Sequence, residues 1–354
     1  MLFRTLTLRA SAAAAIMLTA ALVATGCSAA TSPVASSASS TDAKPTGEIT
    51  VYNGQHESLT EAWAAEFTKE SGVKVILRNG EDPELGNQLV QEGGASPADV
   101  FLTENSPAIS LVERSKLLAP IEKSTLEQVP AAFRPKSGNW TGIAARSTVL
   151  AYNPALLAAD KLPTSLMDLS GADWKGKWAA SPSGADFQAI VSALLELKGS
   201  AATEAWLTAM KQNFVAYKGN STVMKAINAG EIPAGVIYHY YWYGDQAGTK
   251  ENSKNVKLLY FKNSDPGAFV SVSGGGVLKT AKNPVAAQAF LKFITAKAGQ
   301  TILQTGDSFE YPIASSVAAN AALVPLSELN APTIDPSNLN STTVTDLMTR
   351  AGII

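Results

Sequence analysis

The chain has 354 residues, with 28 basic and 30 acidic residues, two histidines and one cysteine, for a formal charge of −2. A balance this close to neutral leaves no basic footprint for nucleic acid, and one cysteine permits no disulfide within the chain. Aromatics make up only 7% of residues, so a local concentration of them calls for a reason.

Arg4 and Arg9 precede an uncharged run, Ala10 to Ala24, and then Ala24-Thr25-Gly26-Cys27. A basic start, an apolar run too short to span a bilayer and a small-residue cleavage site together read as an export signal. The residues before Cys27 resemble a bacterial lipobox, in which the cysteine becomes the lipidated first residue. The plainer alternative is secretion with an incidental cysteine. Ser28 to Thr46 is mostly Ser, Ala, Thr and Pro and reads as a flexible tether between membrane and domain. Without Arg4 and Arg9, 26 basic residues face 30 acidic ones, a charge of −4. Roughly 310 residues beyond the tether predict one large or two medium lobes. No later run is apolar enough to span a membrane.

Glu48 to Asn53 alternates like a strand. Ser58-Leu59-Thr60-Glu61 has capping-box spacing before a helix that carries Trp63 and Phe67 and ends at Gly72. Val73 to Leu77 predicts a second strand, Asp82 to Glu92 a helix, and Asp99 to Thr103 a third strand. Ser106-Pro107 opens a third helix. Such alternation argues for an α/β architecture with largely parallel sheets. Two loops follow strands on what should be the same sheet edge: Gly54-Gln55-His56 and Glu104-Asn105. His56 and Glu104 are therefore expected to approach one another, although His56 also fits a helix-capping or solvent-exposed imidazole.

Arg146 to Asn153 reads as another strand. Ser181-Pro182-Ser183-Gly184-Ala185 precedes a helical stretch, Phe187 to Leu197, and small residues there leave N–H groups free to hold an anion. Asn220-Ser221 before Val223 to Asn228 is a similar start. Pro233 to Ile237 reads as a short buried strand that runs into Tyr238-His239-Tyr240-Tyr241-Trp242-Tyr243. Aromatics at a strand's C-terminal end, or on the helix after it, stand where open α/β sheets bind ligands. By itself the segment fits core packing, a sugar-stacking platform or a metal site. A phenol, with a pKa of about 10, binds most metals poorly until a hard and highly charged cation such as ferric iron displaces its proton. Phe269 to Ser273 leads to Gly274-Gly275-Gly276, which is no phosphate loop and more simply lets a strand cross closely between two lobes. Asn283-Pro284 caps a strongly helical run.

Three segments, Val51 to His56, Pro97 to Glu104 and Tyr240-Tyr241-Trp242-Tyr243, together resemble one family: the ferric-ion-binding proteins of bacterial iron ABC importers, or bacterial transferrins. The likeness covers nearly all of residues 48–354 and includes Trp174-Lys175-Gly176-Lys177, Asp265-Pro266-Gly267-Ala268 and Glu310-Tyr311-Pro312. It implies an α/β fold of the periplasmic-binding-protein type II, two lobes joined by two crossing strands near Arg146 to Asn153 and Val270 to Gly276. The lobes would comprise residues 48–147 with 272–322, and 148–271 with 323–354, after a signal peptide (1–26) and a lipidated tether (27–47). The resemblance carries over His56, Glu104, Tyr240 and Tyr241 as Fe(III) ligands, a hard donor set of charge −3. Two octahedral positions would remain for water or a synergistic anion such as phosphate or carbonate. By position, Asn105, Ser183, Gly184, Ala185 and Asn220 would contact that anion. The family commonly has Gln where Asn105 stands and Asn where Tyr238 stands. His239 is expected near the site or exposed, with Trp242 and Tyr243 as packing residues.

The implied protein is a monomeric, lipid-anchored receptor outside the cytoplasm that delivers Fe(III) to an ABC permease and its ATPase. A receptor for phosphonate, thiamine or polyamine on the same fold is the alternative, but it needs no tyrosine pair beside a His and a Glu. An enzyme is not expected: Gly-x-Ser-x-Gly and His-Glu-x-x-His are absent, and lipidation would consume the one thiol.

Overall fold

Alternation in Glu48–Asn53 produces the first strand, β1, with Ile49 and Val51 fully buried. The computed structural model describes residues 44–354. The export signal, Cys27 and most of the tether lie outside the described residues. After β1 come β2 (Lys74–Asn79), β3 (Val100–Leu102), β4 (Thr141–Tyr152), β5 (Trp178–Ala180), β6 (Phe214–Ala216), β7 (Ala234–Tyr238), β8 (Lys257–Leu259) and β9 (Val270–Val277). Among the described residues the strands lie in the order β2-β1-β3-β9-β4-β7-β5-β6, with β8 on β4.

The pairing is less parallel than the α/β alternation predicts. β1 with β2 and β3, and β5 with β6 and β7, are parallel, but every pair that involves β4 or β9 is antiparallel. These are the two crossing strands. β4 pairs with β9 as far as Ser147 and with β7 from Thr148 onward, so one strand belongs to both halves of the sheet. The glycines of β9 are needed for that crossing: a Cβ on Gly275 would lie 2.8 Å from Leu291.

Helices cover both halves. Trp63 and Phe67, on helix Glu57–Ser71, pack with Phe290 on helix Pro284–Thr295. The other half buries Trp178, Phe187 and Trp206 against Leu347 and Met348. Each such side chain contributes about 1.5–3 kcal/mol on burial. Asn283 caps its helix as expected, accepting the Ala286 N–H. The capping box at Ser58 does not form, because the helix already begins at Glu57 and Ser58 Oγ turns to Asp307. No described helix is long and apolar enough to cross a membrane.

Candidate functional site

Two donors come from the ends of β1 and β3. His56 follows β1 and precedes helix Glu57–Ser71, and its Nε2 lies 3.2 Å from Oε1 of Glu104, which follows β3. The loops are held from behind. Gln55 Oε1 accepts the His56 N–H at 2.8 Å. The Asp82 carboxylate accepts the N–H groups of Glu104 (3.0 Å) and Asn105 (2.7 Å). Only glycine fits at position 54, since a Cβ there would come 2.1 Å from Asp82 Oδ1. Burial pushes the Asp82 carboxyl up to about 7 against the pull of those two N–H groups. Burial likewise raises Glu104 well above the ordinary carboxylate range, with Arg146 opposing it. It lowers His56, so the imidazole is neutral and its buried Nε2 has no hydrogen-bond partner.

Two more donors come from the other half. β7 ends at Tyr238, and helix His239–Ala247 places Tyr240 and Tyr241 in its first turn. Their rings stack at 4.3 Å, and Tyr240 meets His56 edge-on with ring centres 4.9 Å apart. The four residues expected to form a site are thus brought together. Both phenols donate to one oxygen, Asp186 Oδ2, at 3.2 and 3.3 Å. Burial, then the Asp186 and Glu104 carboxylates, drive both phenol pKa values well above the usual 10. Tyr240 and Tyr241, packed beside the Asp186 and Glu104 carboxylates, therefore resist ionising unless a further cation enters among them. Among the described residues no three His, Cys, Asp or Glu side chains converge on a point, so a metal here depends on the phenols.

Asp186 escapes the sequence reading, although it directly follows the Ser181-to-Ala185 run. Gly184 caps helix Ala185–Asn213 and Ala185 is its first residue, as expected of a helix start that holds an anion. The anion there is the chain's own carboxylate, favoured by the helix dipole. Asn105 Nδ2 donates to Asp186 Oδ1 (2.9 Å) and Asn220 Nδ2 to Oδ2 (2.7 Å). Both amides expected to contact a separate anion thus bond Asp186 in this structure. Ser183 is exposed, with its carbonyl accepting from Gln188. Tyr238 donates to Asn105 Oδ1 and so orients the amide.

His239 is fully buried rather than exposed. It stacks on Tyr311 at 4.7 Å, its Nδ1 accepts the Ser147 N–H, and burial lowers its pKa to about 3. Trp242 bonds the Val256 carbonyl, and Tyr243 stacks on Phe309, as packing residues do. A cavity of about 480 Å³, lined in part by His56, Asp82, Glu104, Ala185 and Tyr241, adjoins the site.

Residues 62–330 match the family described as bacterial extracellular solute-binding protein. The chain is 63% identical over 306 residues to the Fe(3+)-binding periplasmic protein of Serratia marcescens, covering 86% of this chain and 90% of that one. It is 33% identical over 312 residues to the major ferric iron-binding protein of Neisseria meningitidis serogroup B, covering 86% and 93%. Iron-bound HitA from Pseudomonas aeruginosa superposes with a TM-score of 0.81 at 39% identity, over 86% of this chain and 99% of that one. The fold is accordingly the periplasmic-binding-protein type II fold, and these relatives are binding proteins, not enzymes.

Proposed function

The chain belongs to the bacterial extracellular solute-binding protein family, and we propose that it captures Fe(III) outside the cytoplasm for uptake. The observation that carries this is the convergence of two phenols from one half on a carboxylate, beside an imidazole and a second carboxylate from the other half. His56, Glu104, Tyr240 and Tyr241 are the proposed ligands. Ferric iron suits hard anionic oxygens, and only a strongly acidic cation displaces protons from phenols this reluctant to ionise. The names of the Serratia and Neisseria relatives support the choice of metal.

Asp186 supplies the further oxygen donor in this reading, in place of a separate phosphate or carbonate. Four anionic donors then offset the trivalent ion, and Asn105 and Asn220 hold Asp186 from behind. Because the ion contacts residues from both halves, it binds the closed arrangement best and shifts the population toward it. The lobes are taken as residues 48–147 with 272–322, and 148–271 with 323–354. Delivery goes to an ABC permease with its ATPase, and Cys27 anchors the chain to the membrane. Cys27→Ser should release the protein from the membrane fraction.

The primary test is metal analysis of protein purified without chelator, together with its visible spectrum. One iron per chain and a phenolate-to-Fe(III) band are expected. A colourless protein at saturating Fe(III) would sink the assignment. Equal affinity in phosphate and anion-free buffers is expected if Asp186 replaces the anion. A strong dependence on phosphate would return that role to a free anion.

A further inference from the structure

We propose, resting on the Fe(III) reading above, that Arg146 is a positioning residue: its one guanidinium orients both donors of the first half, Glu104 and His56. Arg146 is fully buried on β4, opposite Ser271 of β9, beside the point where β4 changes partner from β9 to β7. Its Nη1 lies 3.3 Å from Glu104 Oε2, whereas Glu104 Oε1 lies 3.2 Å from His56 Nε2. The two oxygens of one carboxylate therefore face different partners. Holding Oε2 leaves Oε1 for the ion, so Glu104 gives one oxygen rather than two.

The second nitrogen reaches the rest of that half. Nη2 donates to Ser273 Oγ (2.9 Å) and Gln55 Oε1 (3.3 Å) and pairs with the buried Glu310. Gln55 Oε1 also accepts the His56 N–H, and Ser273 Oγ donates to the Glu104 carbonyl at 3.0 Å. One group, set on a crossing strand, thus touches Glu104 directly and reaches His56 through a single intermediate. The chemistry requires arginine. A guanidinium stays charged and spreads that charge over a plane, so Nη1 faces Glu104 as an ion pair, without a hydrogen bond, while Nη2 serves Glu310, Ser273 and Gln55. An ammonium has no such plane.

Two roles for this cation predict opposite signs. A mere neighbouring charge repels a trivalent ion, so its removal should tighten binding. A positioning group improves the donors, so its removal should weaken binding and alter the iron's electronic environment. The experiment titrates Fe(III), in competition with nitrilotriacetate, into metal-free wild type, Arg146→Lys and the double variant Arg146→Met/Glu310→Gln. The visible charge-transfer band is followed throughout, and thermal unfolding of each metal-free protein checks its fold. Arg146→Lys retains the buried charge pair, whereas the double variant removes both charges and leaves neither unpaired. Affinity should fall by about 10–100-fold in both, the usual effect of groups that orient metal ligands, and the band should move. Either folded variant binding as tightly as wild type or more tightly, with an unmoved band, would overturn the proposal. A wild type that never colours would instead defeat the Fe(III) reading.

Discussion

The two halves of the site are built differently. His56 and Glu104 hang from loops braced by Gln55, Asp82 and Arg146, all of them buried behind the donors. Tyr240, Tyr241 and Asp186 are held largely by one another, with two phenols sharing one carboxylate oxygen and two asparagine amides behind it. The first half is pre-set by the scaffold. In the second, burial and the neighbouring carboxylates keep both phenols protonated until a cation arrives. The halves thus differ in how their side chains are held, and each can be attacked separately.

The largest effect is expected from the tyrosine half. Tyr240→Phe and Tyr241→Phe each keep the stacked ring and delete one anionic oxygen. Each should weaken Fe(III) binding by more than the about 10–100-fold typical of residues behind the ligands, and each should bleach part of the colour. Tyr243→Phe, whose ring stacks on Phe309 and whose hydroxyl meets Tyr260 rather than the four proposed ligands, should leave the band in place. Full colour in both variants would remove the contrast between the halves.

Asp186→Asn comes next. It deletes one charge yet leaves an oxygen, so affinity should fall, and added phosphate should restore part of it where wild type shows no response. Titrations with and without phosphate measure this directly. A phosphate-indifferent variant would mean that Asp186 supplies no anionic donor.

On the braced half, His56→Ala should cost less than either tyrosine change. A neutral imidazole can be replaced by water, and the loop remains fixed by Gln55. Competition titration would rank the three variants. A loss at His56 equal to that at Tyr240 would show that the first half contributes more than placement.

The smallest effect concerns stability rather than binding. Burial raises Asp82 to about 7 from an ordinary 3.8, so the folded chain binds this proton more tightly than the unfolded chain. Its contribution is fully present below about pH 4 and is lost as pH rises through 7. Thermal unfolding of the metal-free protein should therefore show a downward slope across that window, and Asp82→Asn should flatten it. An unchanged slope would place the titrating group elsewhere.

Much of this was legible from local pattern. The strand at Glu48–Asn53, the helix at Asp82–Glu92 and the aromatic helix after β7 follow from periodicity, caps and turn residues acting over a few positions. The strand expected from Arg146 begins earlier, at Thr141, because Thr141 to Ala145 pair with the glycine-rich end of β9, a long-range partner that no local pattern reveals. Sequence left His239 either near the site or exposed, and the structure removes the second alternative: an imidazole gives no sign in sequence that Tyr311 will cover it and Ser147 will satisfy it.

By itself the sequence determined the α/β order of elements, the loops that carry donors and the chemical hardness of those donors, since all three depend on residue type and short-range spacing. Only the tertiary structure decided that Asp186 meets both phenols and both asparagine amides and that Arg146 stands behind Glu104. Residues 105, 186, 220 and 240 meet at one carboxylate across long sequence separations. No local preference encodes such a meeting. It follows from two crossing strands that bring both halves face to face and from burial, which makes every unpaired charge there costly enough to require a partner.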